Sequence, residues 1–426
     1  MILKFEEFRN ENKIGNELDE IRVKNFKIFQ ERGFPSKKEE SWKYTNIKEI
    51  IKTNLDNLEI PSKKNNKYNS EWLIKNFVHN KIILLNGNFV ESSFEHEDIN
   101  SIKIKPLVEL LKDNKYFKKL KNFFINEKNS LELLNNALVN DGAILEIDKN
   151  YSLKQPLIIY NFFDQESENK IINNKFFITL GENSKLSLIE YYKSENKIKY
   201  FNNTSHNYRL NKNSILKKYN LNSDIDNSYN YHLTNVVSYS NSLFENFLFF
   251  YGSNLLKNEI HCDLVESSSS CFVNGLILLD KKQHHELKTN VNHKYEYCKS
   301  SQLVKSVLLD SSNGTYQGKI YVDKNAQKTD GYQLSKALVL SNDSEFNSKP
   351  ELEIYADDVK CSHGSTTGNI DENSVFYLMS RGLSKSQANK MLIEGFLNES
   401  IETITDKNIK ELILKIFINR INRVKI

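Results

Sequence analysis

The sequence is poor in cysteine. Four occur in 426 residues, at Cys262, Cys271, Cys298 and Cys361, and no CxxC is present. A disulfide framework, a zinc ribbon or a ferredoxin-type cluster held by this chain alone is therefore not expected. A strong charge of one sign is missing too. The 59 basic and 55 acidic residues leave a formal net charge of +4, so neither nucleic acid nor a membrane surface is an expected partner. No uninterrupted apolar run is long enough to span a bilayer. The first residues, MILKFEEFRNENK, lack the basic and then apolar regions of a secretion signal. These absences point to the cytoplasm. A phosphate loop is also lacking. GTYQGKI, Gly314 to Ile320, is one residue short between its glycines and carries Ile where a Walker loop needs Ser or Thr. It reads as a strand turn, and no nucleotide hydrolysis is expected.

What is present is a chain with 39% hydrophobic residues, enough for a substantial core and more than one domain. Ile14, Leu18 and Ile21 recur at helical spacing, and Gly33 ends that run before Pro35. In GFPSKKEESWKYTNI, Trp42 and Tyr44 anchor an irregular segment. IPSKKNNKYNS, residues 60–70, reads as an exposed loop, and 105–140 reads as helix. From Asp141 the texture changes to short runs such as PLIIYNFF, KLSLIEYY, CFVNGLILLD and ELEIYADD, bounded by Gly, Asn, Ser or Asp. These are strand signals, with too little helix between them for a βαβ protein. A sandwich and a β-solenoid both remain open. NG occurs in VNGLI and SNGTY, but most links carry no hairpin signal, which favours the solenoid.

After Gly368 helices return. Asp371 can N-cap ENSVFYLMSR, Gly382 supplies its left-handed C-terminal stop, and Ser384 with Gln387 forms a capping box. Ala388, Met391, Leu392, Gly395 and Phe396 share a face of the next helix. Ile409, Leu412, Ile413, Ile416 and Phe417 form a stripe on the last, which ends in Arg420, Arg423 and Lys425. Such helices cap the last strand or dock a partner. The division expected is 1–140 mainly helical, 141–360 β and 361–426 helical.

The densest chemistry is ADDVKCSHGSTTG, Ala356 to Gly368. Asp357 and Asp358 diverge if they lie on a strand, which fits a turn cap and an ion pair better than paired acid–base work. Cys361 and His363 are two apart and share a face if the strand continues. That allows thiolate–imidazole pairing or two metal ligands; a structural corner is the other reading. His261–Cys262 and His284–His285 are adjacent pairs whose side chains point oppositely on a strand, so neither chelates as a unit.

KPELEIYADDVKCSHGSTTGNIDENSVFYLMSRGLSKSQANKMLIEGF resembles the C-terminal signature of the SufB/SufD family of iron–sulfur cluster assembly scaffolds. DSSNGTYQGKIYVDKNAQKTDGYQLSKALVLS and NALVNDGAILEIDKNYSLKQPLIIY are similar to other parts of that family, and RGFPSKKEESWKYTNI resembles its SufD branch. The resemblance implies a mainly β protein, a right-handed parallel β-helix flanked by helical N- and C-terminal domains. It implies a non-catalytic scaffold subunit that pairs with a SufB-like subunit and docks a SufC-like ABC ATPase. His363, with Cys361 beside it, would face the SufB-like chain and share a transient iron–sulfur cluster; any metal contact of His363 would be shared with that partner. The ATPase would dock on Phe376, Tyr377, Arg381, Gly382, Met391, Leu392 and Phe396. No cofactor is expected on this chain alone. ATP and magnesium would belong to the ATPase, and a flavin in the complex is left open. The rival readings are a homodimeric scaffold and a polysaccharide-cleaving β-solenoid; the second is disfavoured by the missing signal and the amphipathic C-terminal helices.

Overall fold

A computed structural model describes residues 2–3, 5–15, 17–55, 58–61, 67–125, 129–223 and 225–424. Part of the loop expected over 60–70, and Lys425, lie outside the described residues. From Leu157 the chain runs as strands mostly ten residues long that alternate between two sheets. Each strand pairs in parallel with the strands one turn before and one turn after it. The result is a two-sheeted β-solenoid of about eight turns. In one sheet the register steps from Ile171 to Phe201, Tyr229, Leu255, His284, Asn313 and Glu345. The steps are unequal, which is why no fixed period shows in the sequence.

The corners explain the Asn, Ser and Gly punctuation. Along one edge, Asn183, Asn213, Asn241, Ser268, Tyr297 and Lys328 each adopt the left-handed conformation, with φ between 55° and 61°. Asn tolerates this region better than most residues. Each of these amides donates to a carbonyl of the next corner, as Asn213 N does to Ser240 O at 2.9 Å. Asn213 Nδ2 also donates to Asn183 Oδ1 at 2.8 Å, and Asn183 Nδ2 to Asn150 Oδ1 at 2.7 Å. Ladder bonding thus continues around the bend. GTYQGKI is not a turn: it lies inside the strand Asn313–Val322. Gly318 is needed there because a Cβ would meet the Tyr316 hydroxyl at 2.3 Å.

The lumen holds an apolar core that includes Leu188, Phe244, Leu256, Ile260 and Val304. At the first turns it turns polar. Glu190 is fully buried and its carboxylate meets His206 Nε2 at 2.8 Å, Lys218 Nζ at 3.1 Å, the Tyr208 hydroxyl at 3.0 Å and Asn220 Nδ2 at 2.6 Å. Burial alone would raise that carboxyl, but His206 and Lys218 hold it below its usual range. The start of the solenoid is closed by antiparallel strands, Asn88–Ser93 on Asn80–Leu85 and Ile102–Pro106 on Asp141–Ile147. Asn86 and Gly87, both at positive φ, form the tight turn of the first pair.

Two helical regions lie on the outside. Helix Ser130–Leu138 docks on one sheet through carboxamides, Asn135 Nδ2 donating to Asn174 O and Asn203 O. The segment around Trp42 is clamped to the same sheet. Lys257 lies 4.5 Å from the Trp42 ring, donates to Ser41 O at 2.8 Å and pairs with buried Glu286, which accepts from Thr45. The C-terminal helices do not cap the last strand. They fold back along the other sheet, where Ile393, Leu397, Ile409, Ile413 and Phe417 meet Tyr160, Tyr219 and Phe249. Arg420 pairs with Asp280 at 2.8 Å and so fastens the final helix to a solenoid corner. The solenoid runs to Gly368, past the boundary drawn at residue 360. No described helix is long and apolar enough to cross a membrane.

Two outcomes follow for stability. Burial lowers His232 to about 3 and His284, His285 and His293 to about 4. Between these values and the unfolded value of about 6.5 the unfolded chain binds more protons, so stability falls as pH falls through that window. Thermal melts from pH 7 to pH 4 should show a steadily dropping midpoint; a flat profile would contradict this. Phe417 is 2% exposed against Phe249. Phe417→Ala should cost about 3–5 kcal/mol in denaturant unfolding and loosen the C-terminal helices.

Candidate functional site

The stretch Lys360–Gly368 is the last strand of its sheet. Among the described residues it pairs on one side only, with Asp330–Val339. Cys361 stands opposite Gly331 and His363 opposite Gln333. Gly331 and Gln333 are buried, lumen-facing positions. Paired residues in a parallel ladder share a face, so Cys361 and His363 both belong to the lumen side at the open end of the solenoid. The structure thus brings together the two residues whose spacing suggested it.

Their environments differ. Cys361 is half-buried beside a small cluster of Ile320, Val322, Ala326 and Ala356. Burial pushes its thiol up, so it is not primed as a nucleophile. His363 is exposed. A neutral imidazole there can donate a nitrogen to iron or to another borderline metal. No group of three or more His, Cys, Asp or Glu able to hold a metal occurs among the described residues. Two donors at an open end are half a site.

The remaining residues of the motif are structural. Gly364 and Ser365 make no corner, because both lie within the strand. Gly364 is small for a packing reason: a Cβ would approach Leu334 Cδ1 to 3.3 Å. The corner falls earlier. Asp358 pairs with Lys328 and its amide donates to Gln327 Oε1 at 3.0 Å, while Asp357 is exposed. His284 and His285 face opposite sides, His284 to Thr45 and His285 to the Gly252 carbonyl at 2.9 Å.

The helical hairpin that follows Gly368 projects an apolar surface. Asp371 caps Glu372–Ser380 through the amides of Asn373 and Ser374, Gly382 sits at φ 97°, and Ser384 and Gln387 close the capping box. Phe376 is 74% exposed and Met391 51%; Tyr377, Arg381 and Gly382 are exposed beside them, with Arg381 lying 5.3 Å from the Tyr377 ring. Leu392 and Phe396 depart from the expected docking face. Both are half-buried, and Phe396 turns inward, where Lys305 lies 4.7 Å from its ring and donates to its carbonyl. The buried stripe is Ala388, Ile393, Leu397 and Ile401. The helix turns that stripe to the solenoid because its larger aliphatic residues lie there.

The buried cluster around Glu190 and the clamp around Lys257 were not singled out from the sequence. The first had a signal. FNNTSHNYRL breaks apolar alternation with Asn202, Thr204 and His206 at positions that alternate with its outward face. The clamp had none, since Thr45 and Glu286 are remote in the chain.

Comparison with known proteins agrees with this architecture. Residues 162–396 match the family model described as SUF system FeS cluster assembly, SufBD core domain, and residues 5–159 match the SufBD protein N-terminal region. The chain is 30% identical over 237 residues to the iron–sulfur cluster assembly protein SufD of Escherichia coli, an alignment covering 56% of each protein, so little more than half of that relative's length is spanned. It is 24% identical over 387 residues to an iron–sulfur cluster assembly SufBD family protein of Synechocystis, covering 87% of this chain and 84% of that one. A chloroplastic protein of Arabidopsis thaliana, ABCI7, is 25% identical over 279 residues. The two family models together take in nearly the whole chain, and the chain belongs to the SufBD family of iron–sulfur cluster assembly proteins.

Proposed function

We propose that this chain is a non-catalytic scaffold subunit that pairs, through the open end of its solenoid, with a SufB-like subunit and docks a SufC-like ABC ATPase on its C-terminal hairpin. The observation that carries the reading is the last turn. It presents His363 and Cys361 on a strand with one unpaired edge. An unpaired strand edge is a template for another chain, and a second solenoid end would bring the missing ligands. The iron–sulfur cluster is cargo: it forms between His363 and groups of the partner and then leaves. His363 supplies a neutral nitrogen, and Cys361 supports its strand by packing under it. ATP and magnesium sit on the ATPase, and a working place in the cytoplasm fits this role. The exposed Phe376, Tyr377 and Met391 are the apolar anchors for that ATPase; large exposed apolar patches mark interaction sites.

Co-expression with SufB-like and SufC-like chains, followed by size exclusion and anaerobic iron and sulfide analysis, tests this. His363→Ala should leave the complex intact and reduce bound iron and sulfide to about a tenth or less, the scale of lost metal-site interactions. Loss of the complex in that variant would count against His363 as a cluster ligand. Iron and sulfide held by this chain alone, with no complex, would replace the heteromeric reading by a homodimeric scaffold. Phe376→Ala combined with Met391→Ala should release the ATPase while the melting temperature of the isolated chain stays unchanged, because neither side chain packs in the core.

A further inference from the structure

The charge of this chain is unevenly spread. Between Lys103 and Ile125 seven lysines stand against two carboxylates, a surplus of five, whereas the whole chain carries a formal net charge of +4. An average over the full length hides this. The stretch folds as strand Ile102–Pro106, helices Leu107–Leu111 and Asn114–Leu120, and the 3-10 turn Lys121–Phe124. Leu107, Leu111, Phe117 and Phe124 pack in one cluster with Ile144 and Phe177. The four elements therefore share a core and carry their lysines on its outside. Strand Ile102–Pro106 edges the nine-stranded sheet at the end opposite strand Glu345–Ile354. At about 4.8 Å per strand, that sheet places the surface roughly 40 Å from the open end. It stays free when the open end and the hairpin are occupied.

These lysines are largely unneutralised. Lys105 pairs with Glu109 and Lys121 with Glu17. Lys103, Lys112, Lys115, Lys118 and Lys119 are exposed and meet no carboxylate among the described residues. Asp113 is occupied as a helix cap, accepting from Lys115 N at 2.8 Å. Lys115, Lys118 and Lys119 recur at i, i+3 and i+4, so they share one helix face. Next to them Phe123 is 40% and Ile125 39% exposed. Lysines around exposed Phe and Ile are the pattern of a segment that lies in a membrane interface. The stretch holds no arginine. Protein interfaces enrich arginine and deplete lysine, and base readout favours the arginine fork. A fluid layer of anionic headgroups asks only for point charges.

We propose that the closed end of the solenoid docks reversibly on an anionic lipid surface, the lysines meeting headgroups while Phe123 and Ile125 enter the interface. Sedimentation of the full chain with phosphatidylcholine vesicles, with and without phosphatidylglycerol, tests it. Binding is expected only to the anionic vesicles and should be lost at about 1 M salt, where the Debye length is about 3 Å. Lys115→Gln, Lys118→Gln and Lys119→Gln together should weaken it roughly a hundredfold, about fivefold for each lysine. Lys75→Gln, Lys154→Gln and Lys415→Gln, equally exposed on another face, remove the same charge and should leave binding intact. Should the first triple variant misfold, Phe123→Trp still decides: its emission must shift to the blue on anionic vesicles and not on neutral ones. Equal binding to neutral vesicles, equal loss in both triple variants, or no blue shift overturns the proposal. Retention of a short RNA in place of vesicles overturns it in favour of nucleic acid.

Discussion

The structure depends on one constraint, the parallel ladder between successive turns. Each strand satisfies its backbone groups with the strand one turn earlier and the strand one turn later, so stability grows by stacking. The same rule leaves the last turn incomplete. At the start of the solenoid the chain solves this itself, with antiparallel strands. At the far end it does not, and the strand left open carries His363. Placement of the site is thus a consequence of how the fold ends.

The C-terminal helices follow from the same geometry. They could have covered the open end. They lie instead along the flank of the ten-stranded sheet, fixed by Phe417 on Phe249 and by Arg420 on Asp280. This leaves two surfaces free at once, the edge with His363 and the hairpin with Phe376. Strand Lys360–Gly368 and helix Glu372–Ser380 are separated by only Asn369, Ile370 and Asp371, so the two surfaces are neighbours along the chain.

The polar interior is the other departure from a simple apolar solenoid. Glu190 pairs with His206 and Lys218 in the lumen at the cost of desolvation. The clamp at Lys257 does the same on the outside, tying the Trp42 segment to the sheet. Both come from residues brought together by stacking.

The sequence by itself determined the local elements and the family. Helix caps at Asp371 and Ser384, the stop at Gly382, the stripe from Ile409 to Phe417 and the strand runs after Asp141 are short-range patterns, legible because caps and periodicity act within a few residues. Cys361 and His363 were legible as a same-face pair for the same reason. Tertiary structure decided the rest. It decided that Gly364 lies in a strand rather than a corner, because the strand it pairs with, Asp330–Val339, lies about thirty residues earlier in the chain and no local pattern marks that pairing. It turned Phe396 inward and left Met391 outward, because Lys305 and the sheet face chose one side of a helix that is apolar on more than one. It assembled Glu190 with Lys218, and Thr45 with Glu286, because side chains one turn apart in space are about thirty residues or more apart in the chain, and no local pattern carries that distance.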